Sequence, residues 1–329
     1  MRRQLFAVVD RVAMRDWRGW VTTGERFCWS IVRLGASHHR VRSTPMTATL
    51  MDGRALAAQL LRHTAQRAAQ FLARQGRWPC LATVLVGDDP ASHTYVRMKL
   101  NRCREVGIES RRINLDAATT TDRLVDTLRE LSADDGVHGI LLQHPVPAHV
   151  DERAAFEAID PTKDVDGVTK SSFASMAFGE SGFSSCTPGG IMRLLEAYQV
   201  VLRGRRAVVV GRSAILGRPM GMLLLARDAT VTYCHSRTHD LASHVGEADI
   251  LVAAAGRVEL IRGEWIKSGA VVIDAGYHPG NVGDVAFKAA AHRAALITPV
   301  PGAVGPMTIA VLLAQTLDAT EQHRVTRRV

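Results

Sequence analysis

The stretch Ala207-Val208-Val209-Val210-Gly211-Arg212-Ser213-Ala214-Ile215-Leu216-Gly217-Arg218-Pro219 decides the fold. Ala207 to Val210 is a short apolar, β-branched run, the pattern of a strand buried on both faces. Gly211 interrupts it, and a helical pattern starts near Gly217. A strand, a glycine turn and a helix N-terminus together make a phosphate site, because free backbone N–H groups and the positive helix end converge on one point. The spacing is Gly-x-Ser-x-x-x-Gly rather than the common Gly-x-Gly-x-x-Gly. For this window alone, an ordinary strand-to-helix turn of any α/β protein is the alternative.

The next strand, Ala229 to Tyr233, ends in Cys234-His235-Ser236-Arg237-Thr238. A Rossmann unit that binds NAD carries an Asp or Glu here to hold the ribose hydroxyls. This chain has none. Ser236 and Arg237, with Arg212 in the first turn, suit a 2′-phosphate and hence NADP; a solvated basic turn is the plainer alternative. Further on, a helix near Leu241–Gly246 and strands at Asp249–Ala254, Ala270–Ala275 and Ala295–Ile297 continue the alternation. Thr298 to Thr308 is rich in proline and glycine, a stiff loop suited to line a ligand. A last helix, Pro306 to Ala319, shows one apolar face (Ile309, Leu312, Leu313, Leu317) and is expected to pack back on the first half of the chain.

Upstream, Asp52 or Gly53 opens a helix that ends between Gly76 and Pro79. Strands at Leu81–Val86, Glu109–Asn114 and Val137–Gln143 alternate with helices at Pro90–Val106 and Thr121–Ala133. That alternation predicts a second parallel sheet. A short helix follows near Glu152–Ile159. Thr169 to Ser185 is polar and rich in Gly and Ser and reads as a loop, after which Thr187-Pro188 caps a helix to Tyr198.

With 329 residues the chain is long enough for two cores. Formal net charge is +9, but nine Arg and three acidic residues in positions 1–45 account for six of those charges. The body of the chain is close to neutral, which argues against nucleic-acid binding. Five scattered cysteines without a Cys-x-x-Cys pair fit reduced thiols in a cytoplasm, not a disulfide framework or a metal site. No run approaches the roughly 20 apolar residues that span a membrane. Residues 1–45 hold Trp17, Trp20 and Trp29 and no clear period; they read as an extension that is disordered or comes from an upstream start, with the folded protein beginning near Met46. An Arg-rich targeting peptide, which Asp10, Asp16 and Glu25 fit poorly, is the alternative.

Tyr95 and Lys99, four apart on a helix, share a face. Lysine is scarce, five in the chain, so a Lys here suggests an amine that must give up its proton, which Arg does not do; a solvated pair is the alternative. Gln143 leaves a buried strand before two prolines and can orient a partner without adding charge. Asp164 and Asp166 flank a loop where a carboxylate could grip a donor-rich heterocycle, or simply cap a turn.

Together, Tyr95-Val96-Arg97-Met98-Lys99, Gln143-His144-Pro145-Val146-Pro147, Lys163-Asp164-Val165-Asp166-Gly167, Cys186-Thr187-Pro188, Val210-Gly211-Arg212-Ser213 and Thr298–Thr308 resemble the bifunctional methylenetetrahydrofolate dehydrogenase/methenyltetrahydrofolate cyclohydrolases of the FolD type. The resemblance spans Leu50 to Leu317. It implies an α/β fold of two parts: a catalytic folate-binding part over residues 46–190 with 306–320 added, and a Rossmann-type NADP part over 191–305. It implies Lys99 as catalytic lysine, Tyr95 as its neighbour near the folate, and Gln143 as its orienting partner. Folate is expected at Asp166, Tyr95, Pro301 and Gly302, and NADP at Gly211, Arg212, Ser213, Gly217, Ser236 and Arg237. A cytoplasmic homodimer that uses no metal and binds neither nucleic acid nor membrane is expected. Two residues depart from the family pattern. His144 stands where Leu is more usual. Ala303 stands where the family has Gly, at a position expected to need positive φ or close ligand approach, so weakened folate affinity is expected. The rivals are another NADP enzyme of this architecture, such as a shikimate-type dehydrogenase, and a non-catalytic folate- or NADP-binding protein.

Overall fold

Alternating strand and helix patterns produce two parallel sheets in the computed structural model, which describes residues 48–87 and 90–326, with side chains at 48–87 and 98–321. The extension expected over residues 1–45 lies outside the described residues. The chain enters through β1 (Thr49–Leu50) and α1 (Gly53–Gln75), whose Asp52 cap accepts from Ala55 N at 3.0 Å and whose end is Gly76 in the left-handed region. Then come β2 (Cys80–Val86), α2 (Pro90–Val106), β3 (Glu109–Leu115), α3 (Thr121–Ala133) and β4 (Gly139–Leu142). These strands pair in parallel in the order β3–β2–β4, Val84 facing Ile113 on one side and Leu142 on the other.

The helix α4 (Glu152–Glu157) leads into α5 (Lys170–Phe178) and α6 (Cys186–Ala197). The second helix corrects the expected loop over 169–185. Its Ser and Gly content reads as irregular, but Thr169 caps it from one end, accepting from Ser172 N at 3.2 Å, and Gly179 closes it with φ 70°. The cap of α6 is also not Thr187 but Ser185, whose hydroxyl donates to Gly167 O at 2.9 Å instead of closing the helix.

The remaining elements are β5 (Arg206–Val210), α7 (Gly217–Leu225), β6 (Thr230–Cys234), α8 (Leu241–Glu247), β7 (Ile250–Ala253), β8 (Val271–Asp274), α9 (Phe287–Ala291), β9 (Leu296–Ile297) and α10 (Val304–Thr326). The larger sheet is parallel throughout and runs β1–β9–β8–β7–β5–β6. From β5 the chain turns outward to β6, then crosses back to β7 on the other side. The strand order therefore reverses at β5, where open α/β sheets bind ligands at their C-terminal edge. The quoted stretch sits at that reversal.

The two halves share packing. A cluster of Met51, Ala57, Ile191, Leu194, Val209, Met220, Met307 and Ala310 joins the large sheet to α1, α6 and α10. A second cluster sets Leu81 and Leu141 of the small sheet against Ile309, Leu312, Leu313 and Leu317 of α10. The last helix does pack back on the first half, but it is buried on almost every side from Met307 to Thr320 and not on one face alone. Among the described residues, no helix is long and apolar enough to cross a membrane.

Candidate active site and cofactor crevice

The helix α2 brings Lys99 to the end of β4, where Gln143 leaves the sheet. Lys99 Nζ donates to Gln143 Oε1 at 2.9 Å. Gln143 is fixed from both sides: its N–H donates to Val84 O at 2.8 Å, prolonging the ladder, and its Nε2 donates to His144 O at 2.8 Å. The amide oxygen is therefore the end left to face the lysine. The following His144–Pro145 bond is cis. Burial holds the Lys99 ammonium below its usual range, and the nearby Asp166 carboxylate is the strongest influence the other way. Tyr95 lies in α2, one turn before Lys99; its side chain is outside the described residues.

The two acids of Lys163-Asp164-Val165-Asp166-Gly167 do different jobs. Asp164 is fully buried and accepts from Val168 N at 3.0 Å, Thr169 N at 2.9 Å and Ser172 Oγ at 2.6 Å. Burial pushes its carboxyl up from the ordinary value. Its place inside the fold removes it as a ligand for a heterocycle. Asp166 is half-buried and stays beside Lys99. Its loop is fastened by Lys163 Nζ donating to Asp134 O at 2.7 Å, at the end of α3, and by Gln315 Nε2 of α10 donating to Val165 O at 2.7 Å.

Lys99, Gln143 and Asp166 thus meet. Pro301 and Gly302 lie in the loop between β9 and α10, beside the start of α1: a Cβ at Gly302 would come within 3.4 Å of Arg54 Nε. Ala303 corrects an expectation. Gly302 takes the positive φ, 132°, whereas Ala303 is in ordinary backbone, fully buried among Met51, Ala57 and Met307. Its methyl fills core.

At the C-terminal end of β5 the chain turns tightly into α7. Gly211 has φ 146°, and a Cβ there would lie 2.2 Å from Ala254 O. Ser213 Oγ accepts from Leu216 N and Gly217 N, both at 3.2 Å, as α7 begins. A Cβ at Gly217 would lie 2.4 Å from Gly211 O, so strand end and helix start touch backbone to backbone. Arg212, Ser213, Ser236 and Arg237 are exposed around this turn, and among the described residues neither arginine has a carboxylate partner.

Comparison with known proteins decides the family. Residues 51–166 match the model of the tetrahydrofolate dehydrogenase/cyclohydrolase catalytic domain, and residues 185–324 match that family's NAD(P)-binding domain. The chain belongs to the tetrahydrofolate dehydrogenase/cyclohydrolase family. A bifunctional protein FolD from Salinispora arenicola is 72% identical over 278 residues, covering 84% of this chain and 100% of the relative. The crystal structure of the bifunctional FolD enzyme of Campylobacter jejuni superposes with a TM-score of 0.82 at 43% identity, covering 84% of this chain and 99% of that one. The Trypanosoma brucei enzyme, solved with NADP cofactor and an inhibitor, gives 0.81 at 38% identity, with 84% and 98% covered. The chain is accordingly an NADP-dependent methylenetetrahydrofolate dehydrogenase and methenyltetrahydrofolate cyclohydrolase.

Three further polar residues lie buried beyond the expected site set. Gln315 sits in an apolar helix. Cys186 is fully buried, its Sγ donating to Val165 O at 3.2 Å, and burial, with Asp166 beside it, raises its thiol well above the usual range. Asp284 lies in Val282-Gly283-Asp284-Val285, an acid inside an apolar run, and that interruption was the available signal.

Proposed function

We propose that Lys99 carries the proton transfers of the hydrolytic step, with Gln143 as its orienting partner, Tyr95 beside it and Asp166, Pro301 and Gly302 on the folate. The observation that carries this is the 2.9 Å Lys99–Gln143 contact with Asp166 alongside. In the first reaction the methylene carbon of 5,10-methylenetetrahydrofolate loses a hydride and becomes a methenyl cation. The bound nicotinamide supplies the hydride acceptor. In the second, water adds to that carbon, one of its two C–N bonds breaks, and 10-formyltetrahydrofolate and a proton result. Burial lowers the Lys99 pKa and so favours the neutral amine that can take that proton, and Gln143 Oε1, accepting from Nζ, aims the lone pair. A cationic substrate disfavours the ammonium further.

The cofactor is held by Gly211, Arg212, Ser213, Gly217, Ser236 and Arg237. The turn from Gly211 to Gly217, held in shape by Ser213 Oγ on Leu216 N and Gly217 N, takes the dinucleotide phosphates, and the two arginines with Ser236 take the 2′-phosphate. The folate part comprises residues 46–190 with 306–320, and the NADP part 191–305. The protein works in the cytoplasm with no metal, in keeping with its scattered reduced cysteines. It acts as a homodimer; the resemblance supports this, as does the edge strand β6 with Tyr233, Leu225 and Phe178 exposed around it.

The test of the cofactor assignment is kcat/KM for NADP against NAD in the wild type and Arg212→Ala. A charge-assisted bond is worth about 1.5–3 kcal/mol, so NADP should lead by tenfold or more and the lead should shrink in the variant. Equal values for the two cofactors, or no change in the variant, count against it.

A further inference from the structure

The loops that follow β7 and β8 both end on one buried carboxylate. Asp284 has no exposed surface. Its Oδ2 accepts from Ala255 N at 2.6 Å and Gly256 N at 2.9 Å, and its Oδ1 from Arg257 N at 2.9 Å. Oδ1 also meets His278 Nε2, in the loop after β8, at 2.8 Å. Three successive backbone N–H groups closed around a carboxylate make an anion nest, here filled by the protein's own acid. Behind it stands Asp274, the last residue of β8, which accepts from Asp284 N at 3.0 Å, Val285 N at 2.9 Å and Gly276 N at 2.9 Å. The loop that Asp284 holds is the one whose Ala254 O leaves no room for a Cβ at Gly211, the first residue of the turn after β5.

We propose that Asp284, braced by Asp274, is a positioning residue for the cofactor: it holds the Ala254–Arg257 and Ala275–Gly283 loops together at the ends of β7 and β8, and so sets the wall against which the Gly211 turn receives the dinucleotide. This rests on the assignment of the cofactor to that turn. Asp284 touches neither the cofactor nor the reacting carbon; it acts through the loop backbone. A device meant only to hold the fold would be better served by apolar packing, since two adjacent buried carboxylates are costly. Burial, with Asp284 beside it, raises Asp274 to about 6. The nest also spares those N–H groups from pointing, unpaired, into the crevice.

The test is calorimetric titration of the full chain with NADP, in wild type, Asp284→Asn and Arg212→Ala, with methenyl hydrolysis measured alongside. An amide in place of the carboxylate turns N–H toward N–H. The Kd for NADP should rise by at least about tenfold, the scale of one lost charge-assisted bond. Hydrolysis, which takes no hydride, should fall far less than dehydrogenation. Wild-type NADP affinity in Asp284→Asn overturns the proposal. If Arg212→Ala has lost affinity in the same series, the cofactor assignment survives that failure; if it has not, the assignment falls too. Should Asp284→Asn not fold, His278→Ala decides: it removes one of the four bonds to the carboxylate. A Kd raised by about threefold or more supports the proposal, and an unchanged Kd overturns it.

Discussion

Lys99 carries two opposing demands at the residue scale. Its amine must be neutral to accept a proton, yet it sits beside Asp166, which favours the ammonium. Burial is the stronger influence, so its pKa lies below that of an unfolded lysine. The sign follows: stability linked to this group is present above the unfolded pKa and is lost as pH falls through the folded one. On the acid side of that value the protein holds a charge it would rather not bury. Lys99→Met should therefore lower methenyl hydrolysis by at least about 10²-fold, the low end of general acid–base catalysis, while dehydrogenation falls less and the melting temperature holds or rises. In the wild type, hydrolysis should climb with pH through the folded pKa. Retained hydrolysis in a folded Lys99→Met variant would falsify the role. Ala303 makes the converse case. Its methyl is core, so Ala303→Gly should cost about 1–2 kcal/mol from lost burial and a freer unfolded chain, read by urea melts, with folate KM unchanged. A lowered KM at full stability would restore the idea that this methyl crowds the folate. The lysine is legible because Arg takes most other basic positions; the positive φ expected at Ala303 belongs one residue earlier, to Gly302, and sequence does not tell the two apart.

Among the elements, the segment from Lys163 to Phe178 shows how much a few hydrogen bonds decide. Strong apolar periods made β2, β4, β5 and α3 visible in the sequence, to within a residue or two. The helix α5 carries no such period: its burial is slight, and Ser171, Ser172 and Ser175 favour irregular backbone. It forms because Asp164 ties down Val168 N, Thr169 N and Ser172 Oγ at its start. The strand β1 was invisible for a different reason, being two residues whose only call to strand structure is pairing with β9, far along the chain. From this follows a contrast between neighbouring acids. Asp164→Ala strands three donors in the interior, at about 1–3 kcal/mol for the first unpaired group alone, and should lower the urea midpoint sharply. Asp166→Ala should leave the unfolding free energy within about 0.5 kcal/mol of wild type, as a partly exposed substitution does, and raise folate KM. Equal destabilisation by both variants would mean that the loop does not divide its acids between fold and substrate.

For the molecule as a whole, both ends of the described chain join α6 in connecting the halves. The helix α10 lies between the two sheets, and β1 with Met51 puts the start of the described chain into the large sheet and its core. Ala48 N donates to Ala291 O at 2.8 Å, Thr49 N to Ala295 O at 2.9 Å and Met51 N to Ile297 O at 2.9 Å. The Salinispora relative matches over its full length within 278 residues of this chain, so a family member needs no counterpart of the Arg- and Trp-rich residues 1–45. Two shortened chains separate these contributions. One beginning at Met46 keeps every bond of β1 and should equal the full chain in melting temperature and in both activities. One beginning at Asp52, behind an initiator methionine, loses β1 and the fully buried Met51. Emptying a core site of that size costs about 2–5 kcal/mol. At about 2–4 °C per kcal/mol for a domain of 150–250 residues, melting should fall by several degrees at least. Because Met51 packs with Ala303 and Met307, next to the loop of Pro301 and Gly302, folate KM should rise in the same chain. A several-degree loss on starting at Met46 would show instead that the first 45 residues belong to the folded body.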